Sequence, residues 1–275
     1  MTSIDDFFNS IENLPSLPKV VQEVMQMLGS EDLAIKALAR KVEHDAVISA
    51  KVLKLANSSY YGVTRAIKTI DDAIAILGLS KLQTLVIASG VTSAVTQLPG
   101  LDLKRFWRHS LVTASVSREI AKAIGQDTEV AYIAGLLHNI GVLLMTMVLP
   151  QTSVEIEALY SGGTVEERQK IEQAKMGFDH CQLGEELANR WNFPGEISRT
   201  LRYYATPLDK NASGMAPVIY AAVHIATGLE RGEEAKDIAE TLSKEVVKIL
   251  KLDETEWMDR IEFCRGLVSE ADAFI

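Results

Sequence analysis

Histidines are the residues of this chain with the clearest capacity for chemistry. Only five occur, and four of them fall on separate predicted helices of the second half of the chain, namely His109, His138, His180 and His224. A hydrolytic metal site for phosphate esters needs imidazole and carboxylate ligands together, with an open position for water. Apart from those around His180, few carboxylates stand beside these histidines in the sequence. The sequence is therefore compatible both with a metal site and with a set of hydrogen-bonded core histidines.

Two tyrosine pairs are further candidates for a binding site. Tyr60 and Tyr61 follow LANSS, and Tyr203 and Tyr204 follow TLR. Tyrosine offers an apolar body and one hydroxyl, which suits the wall of a pocket, although core packing accounts for the same pattern. The sequence has no phosphate-binding glycine loop, no GxSxG elbow and no HExxH motif.

Helical periodicity recurs along almost the whole chain and predicts an all-α fold. A first amphipathic helix is predicted to enter through Pro18, and Ser30, Asp45 and Thr69 are predicted N-caps of later helices. Further helices are predicted over about 102–124, 128–148, 153–160, 165–176, 180–192, 195–205, 215–231, 236–250 and 254–273. The breaker Leu98-Pro99-Gly100 predicts a boundary between an N-terminal helical subdomain, 1–98, and a second helical subdomain with a C-terminal extension, 99–275.

Composition narrows the function classes. The net charge of -9 and the absence of a Lys/Arg run argue against nucleic acid as a partner. Cys181 and Cys264 are isolated, and the N-terminus lacks the pattern of a signal peptide, so we expect a cytoplasmic protein. The apolar stretch from Ala131 to Leu149 is long enough to cross a membrane, but His138 and Asn139 near its middle favour a helix buried in protein.

The order of six segments resembles the HD-related output domain, abbreviated HDOD, over about residues 10–230. These segments are LPSLPKVVQEVMQML, HDAVISAKVLKLANSSYYG, TIDDAIAILGLSKLQTL, FWRHSLVTA, AGLLHNIGVLL and FDHCQLGEELANRWNFP. The resemblance implies a multi-helix array, in which an N-terminal helical bundle packs on a degenerate form of the helical domain of HD-type metal-dependent phosphohydrolases.

The resemblance also implies how the metal site of those enzymes has changed. They bind metal through a His, a His-Asp pair and a later Asp. His109 matches the first His and His138 the His of the pair, but Asn139 stands where the pair has its Asp. Thr227 lies in the helix where the final Asp is expected. Two imidazoles without an anionic ligand are a poor site for a divalent cation, so no metal or other cofactor is expected, and any metal would use His109 and His138.

The remaining candidates surround the same relict cleft. Tyr203 and Tyr204 lie near the position where binuclear relatives carry tandem histidines. Asp179 and His180 could cap their helix while also facing the cleft, and a cap or core role for His180 is favoured over a ligand role. The resemblance thus gives no catalytic residue and a set of relict-cleft or ligand-binding candidates: His109, His138, Asn139, His180, Tyr203, Tyr204, His224 and Thr227.

Three functions follow from these observations. The leading expectation is a non-catalytic bacterial signal-transduction module that acts through signalling proteins or through a small ligand in the relict cleft. The alternative is a residual metal-dependent phosphohydrolase acting on a nucleotide or other phosphoester, with a divalent metal. The third is a structural role, in which the polar residues of the former site form a hydrogen-bonded core network.

Overall fold

The computed structural model describes residues 3–11, 14–26, 35–58, 61–95, 97–160 and 162–271. The structure is 74% helical, and no strand occurs in these residues, which confirms the predicted all-α class. The helices are α1 (Ile4–Asn9), α2 (Lys19–Gln26), α3 (Ile35–His44), α4 (Ala46–Ala56), α5 (Ile70–Leu77), α6 (Leu79–Ala94), α7 (Leu103–Ala123), α8 (Thr128–Leu137), α9 (Ile140–Val148), α10 (Pro150–Tyr160), α11 (Val165–Met176), α12 (His180–Arg190), α13 (Gly195–Tyr203), α14 (Ala216–Glu230), α15 (Ala235–Thr241), α16 (Lys244–Leu250) and α17 (Glu254–Ala271).

The chain divides into two compact units. One comprises residues 15–96 and 269–275, and the other comprises residues 1–14 and 97–268. The first helix, α1, therefore belongs to the later unit, where the Phe7 ring meets the Phe178 ring edge to face at 5.6 Å. This helix was not predicted, although Ser3 is its N-cap and accepts a hydrogen bond from the Asp6 N–H. The predicted 1–98 and 99–275 subdomains remain a prediction.

In the unit that contains α2 to α6, side chains next to two helices in the sequence cap the N-termini of those helices. The Asp45 carboxylate accepts a hydrogen bond from the Ile48 N–H, and the Thr69 hydroxyl accepts one from the Asp72 N–H, so both predicted N-caps are confirmed. The predicted cap Ser30 lies outside the described residues. Helices α2 and α6 pack closely at Gly90, where any Cβ would collide with the side chain of Val21.

The unit that contains α7 to α17 has its core where α7 packs on α8 and α14, and α9 on α12. Glycines let the backbones of neighbouring helices approach each other closely at two places in this unit. A Cβ on Gly135 of α8 would lie 2.8 Å from the Ala114 Cα of α7, and one on Gly141 of α9 would overlap the carbonyl of His180 in α12. These contacts hold the helix ends that carry His138 and His180 in fixed positions.

The predicted helix over 128–148 is interrupted. Helix α8 ends at Leu137 and α9 begins at Ile140, because His138 and Asn139 form a turn between them. Of the apolar window in Thr128–Val148, 83% is buried inside the protein. The predicted helix over 236–250 is likewise two helices, α15 and α16.

Candidate functional site

His138 lies at the end of α8 and is 1% exposed. Its Nδ1 lies 2.6 Å from the Gly135 carbonyl oxygen, so Nδ1 carries the proton and donates it. Burial and the charge of His109 hold the pKa of His138 well below its usual value. The ring is therefore neutral near pH 7, and its buried Nε2 is a lone-pair acceptor with no partner among the described residues.

His109 on α7 stands next to this ring and has a carboxylate partner. The His109 and His138 ring centroids are 5.3 Å apart, edge to face. The Nδ1 of His109 lies 2.7 Å from Oε2 of Glu230, at the end of α14, and the two side chains are 18% and 20% exposed. His109 thus connects the histidine pair to the Glu230 carboxylate at the edge of the core.

His180, the first residue of α12, is the most fully bonded histidine of the chain. Its Nδ1 and its backbone N–H lie 2.5 Å and 2.9 Å from Oε2 of Glu172 on α11, and its Nε2 lies 2.7 Å from the Tyr204 hydroxyl. All three side chains are fully buried. Asp179 is the N-cap of α12, with a complete capping box to Gln182, so the cap is Asp179 and His180 is a core residue.

The charge of His180 is set by its partners. Burial alone would lower the pKa of its imidazole, but the electrostatic influence and hydrogen bonds of Cys181 and Glu172 raise it to about 10. Burial raises the pKa of the Cys181 thiol, so the thiol is protonated near pH 7 and the Glu172 carboxylate is the anion that holds the imidazolium. Burial opposes the ionised Glu172 as well, yet His180 and Arg168 lower its pKa overall.

Arg168 extends this buried cluster to the surface. Its Nε donates to Glu172 Oε1 at 2.8 Å, and its Nη2 donates to Glu157 Oε1 at 2.6 Å. The Glu157 side chain is 51% exposed. The ionic network Glu157–Arg168–Glu172–His180 therefore has two negative and two positive members, and its inner three members are taken out of water together.

Tyr204 joins the network to the histidine pair. Its ring meets His138 at 5.5 Å and His180 at 5.9 Å, both edge to face. Burial raises the pKa of Tyr204 well above its usual value, so the hydroxyl keeps its proton. The structure thus brings together four of the predicted candidates: His109, His138, His180 and Tyr204.

The other candidates have different surroundings. His224 Nε2 lies 2.7 Å from the Thr241 hydroxyl of α15, and the Thr227 hydroxyl donates back to the Val223 carbonyl of its own helix. Tyr203 is half-buried beneath the guanidinium of Arg202. Asn139 begins α9 without a side-chain cap bond, Tyr61 lies in the other unit, and Tyr60 lies outside the described residues.

Sequence reasoning missed the carboxylates. Few carboxylates stand beside the histidines in the sequence, but Glu172 and Glu230 reach His180 and His109 from other helices. Glu172 lies eight residues before His180 in the polar α11, and Glu230 lies at the end of an apolar helix. Neither spacing indicates a pair, so the interhelical contact had no local signal.

A divalent metal does not fit the donors at this centre. Asn139 supplies no charge, Glu230 and Glu172 each already bond a histidine, and the Nε2 of His138 has a second imidazole beside it and no carboxylate partner among the described residues. Across the described parts of the chain, no three His, Cys, Asp or Glu side chains are grouped to hold a metal ion.

Solved structures share this fold. A protein from Shewanella amazonensis SB2B that is provisionally named a phosphohydrolase is 30% identical, with a TM-score of 0.82 over 98% of this chain and 97% of that chain. An HDOD domain protein with unknown function from Geobacter sulfurreducens is 25% identical, with a TM-score of 0.77 over 98% of this chain and 94% of that one.

Sequence comparison agrees with this likeness. An uncharacterized protein of Treponema pallidum (strain Nichols) is 26% identical over 196 residues, which are 70% of this chain and 38% of the relative. The chain therefore spans less than half of that relative's length. The family model of the HDOD domain matches residues 14–207, and this chain belongs to the HDOD domain family.

Proposed function

We propose that the chain is a non-catalytic regulatory module that transmits a signal through contacts with other proteins. The observation that carries this proposal is the ionic network Glu157–Arg168–Glu172–His180, whose internal ion pairs include one histidine of the cluster and which meets the other two through Tyr204. Groups paired in this way are not free to bind metal or to accept a proton from water. A network of fully bonded polar groups instead makes the core rigid and specific.

Hydrolysis by the HD mechanism lacks its nucleophile in this proposal. The reaction needs a metal that lowers the pKa of bound water to near neutrality. Asn139 replaces the charged ligand, and Glu230 is engaged by His109. The module therefore works without a metal or other cofactor. We also propose that it acts in the cytoplasm and that its partners are signalling proteins rather than nucleic acid or membrane.

One observation favours the second candidate, a residual phosphohydrolase. The buried Nε2 of His138 is an open acceptor beside the His109 ring, which is the arrangement expected of a metal ligand. The Shewanella amazonensis relative, 30% identical, carries the provisional name of a phosphohydrolase. This candidate predicts metal at His109 and His138 and turnover of a phosphoester.

Metal analysis separates the two candidates. Purified, untagged protein is dialysed with Mn²⁺, Fe²⁺, Ni²⁺ and Zn²⁺ in turn, freed of excess metal, and its metal content and its turnover of a generic phosphodiester are measured. The regulatory proposal predicts far less than one metal per chain and no turnover above the His138→Ala variant. Near-stoichiometric metal that His109→Ala and His138→Ala both abolish, together with turnover, would overturn it.

A further inference from the structure

An open pocket of about 390 Å³ lies in the same unit, apart from the histidine cluster. Its walls come from the start of α11, the loop after α13, α14 and α16, and they combine carboxylate, hydroxyl and aliphatic groups. The residues that define its chemistry are Glu166, Leu208, Asp209, Tyr220, Ser243 and Val246. The volume is within the range of ordinary ligand pockets, and the wide mouth admits a side chain from another protein.

The pocket offers negative charge without a cation to neutralise it. Glu166 and Asp209 both line it, and neither forms an ion pair with a lysine or arginine of the described chain. Tyr220 bonds the Glu166 carboxylate: burial first and then this bond raise the pKa of the tyrosine to about 12, so its hydroxyl remains a donor. Glu166 is therefore held in place while part of its oxygen surface stays free to accept from a ligand.

Apolar side chains at the mouth suit the stem of a long basic residue. Leu208 lines the pocket and is 55% exposed, and Val246 forms an aliphatic wall. Exposed aliphatic groups beside a carboxylate match the two halves of an arginine or lysine side chain, whose methylenes pack while its head group stays polar.

We propose that this pocket docks an arginine side chain from a basic segment of a partner protein, with the guanidinium at Glu166 and Asp209 and the methylenes against Leu208 and Val246. The net charge of -9 favours a basic partner and disfavours an anionic membrane surface. Arginine fits better than lysine because its planar guanidinium donates to a carboxylate through two parallel N–H groups. The inference rests on the proposed regulatory function, since it names the chemistry of the partner.

The pocket also lies next to the buried cluster in sequence. The loop that lines it begins at Ala205, directly after Tyr204, whose hydroxyl bonds His180. The pocket wall is thus continuous in the chain with a residue that bonds the network.

The test is titration of the full chain with the peptide Ac-Leu-Arg-Leu-NH2, with Ac-Leu-Gln-Leu-NH2 as its uncharged match, followed by calorimetry and by amide shifts of residues 205–209. We expect the arginine peptide to bind at least about tenfold more tightly than the glutamine peptide, because charge-assisted hydrogen bonds to two carboxylates are lost in the latter. The double variant Glu166→Gln with Asp209→Asn should remove that difference.

The matched control is Glu155→Gln with Glu262→Gln, which removes two charges at side chains that are each 60% exposed and lie outside the pocket. This control should retain the preference for arginine, and thermal unfolding of every variant establishes that it is folded. Equal binding of the two peptides, no binding of either, or equal loss in both double variants would overturn the inference. Free agmatine binding as tightly as the arginine peptide would replace the partner protein with a small organic cation. A metal-free, inactive protein that fails this test loses only the docking site, whereas metal and turnover would remove the proposed function itself.

Discussion

Two buried histidines of the same cluster are held in opposite charge states. His138 and His180 are both almost completely buried, yet the pKa of His138 is well below its usual value and that of His180 is raised to about 10. The difference lies in the partners. His138 faces a carbonyl and another imidazole, whereas His180 donates to the carboxylate of Glu172. Burial alone therefore does not decide the charge of an imidazole, since Cys181 and Glu172 together outweigh its effect on the pKa of His180.

The two environments also differ in how completely they are bonded. Both ring nitrogens of His180 have partners, while the Nε2 of His138 has none among the described residues. The first environment stabilises a fixed charge, and the second keeps a neutral acceptor available. Within the cluster, His180 is thus fully hydrogen-bonded, whereas His138 retains one unbonded acceptor.

The largest expected effect comes from removing the carboxylate of Glu172, which distinguishes the surroundings of His180 from those of His138. Glu172→Gln leaves His180 and Arg168 without the anion between them, and breaking a buried pair in this way typically costs about 3–5 kcal/mol. Urea unfolding measures this loss in the free energy of unfolding. The exposed control Glu155→Gln should change it by less than about 0.5 kcal/mol, and a similarly small change in Glu172→Gln would contradict the network.

Loss of the hydroxyl that saturates His180 should have a smaller effect. Tyr204→Phe leaves the buried Nε2 of His180 with only the Cys181 sulfur, at 3.5 Å, as a partner, at a cost of about 1–3 kcal/mol. The adjacent Tyr203 is half-buried and lies outside the cluster, so Tyr203→Phe is a matched control with an expected change within about 0.5 kcal/mol. Thermal and urea unfolding of the two variants should rank them in this order, and the reverse order would assign the structural role to the wrong tyrosine.

The opposite pKa shifts predict a stability maximum near pH 6.5. The lowered pKa of His138 means that the unfolded chain binds more protons below pH 6.5, so its contribution to stability is lost as pH falls from that value. The raised pKa of His180 means that the folded chain binds more protons between pH 6.5 and about 10, so its contribution is lost as pH rises through that range.

Each limb has a slope of at most about 1.4 kcal/mol per pH unit for one proton. Urea unfolding between pH 5 and pH 9 measures both. His138→Asn should flatten the acid limb and leave the alkaline one, and equal changes in both limbs would contradict the assignment of separate charge states.

The smallest effect is expected at the edge of the cluster. Glu230→Gln removes the carboxylate partner of His109, but both side chains retain about a fifth of their exposure, so the loss in unfolding free energy should stay below about 1 kcal/mol. Raising the salt concentration should shrink the difference between this variant and the wild type. A loss as large as that of Glu172→Gln would place Glu230 in the buried network instead.

Local features of the fold could be predicted from the sequence. The caps at Asp45 and Thr69 were predicted because an N-cap depends only on short-range sequence. The capping side chain accepts a hydrogen bond from the backbone N–H three residues later. The break between α8 and α9 at His138 was not predicted, because the apolar run continues on both sides of it.

The candidate site was predictable only in part. Residue type and helical position singled out His109, His138, His180 and Tyr204, which the structure brings together. Their partners Glu172 and Glu230 come from other helices, and their pairing depends on how those helices pack rather than on spacing along the chain. The same criterion also selected His224, whose Nε2 lies 2.7 Å from the Thr241 hydroxyl, because the sequence does not show in which direction a histidine on a helix points.

The protonation states of the two buried histidines test the account most directly. A long-range ¹H–¹⁵N spectrum of the imidazole nitrogens at pH 7.5, assigned with His138→Asn and His180→Gln, reports which nitrogens carry protons. We expect protons on both nitrogens of His180 and on Nδ1 alone of His138. A neutral His180, or a His138 that is charged or protonated on Nε2, would contradict it.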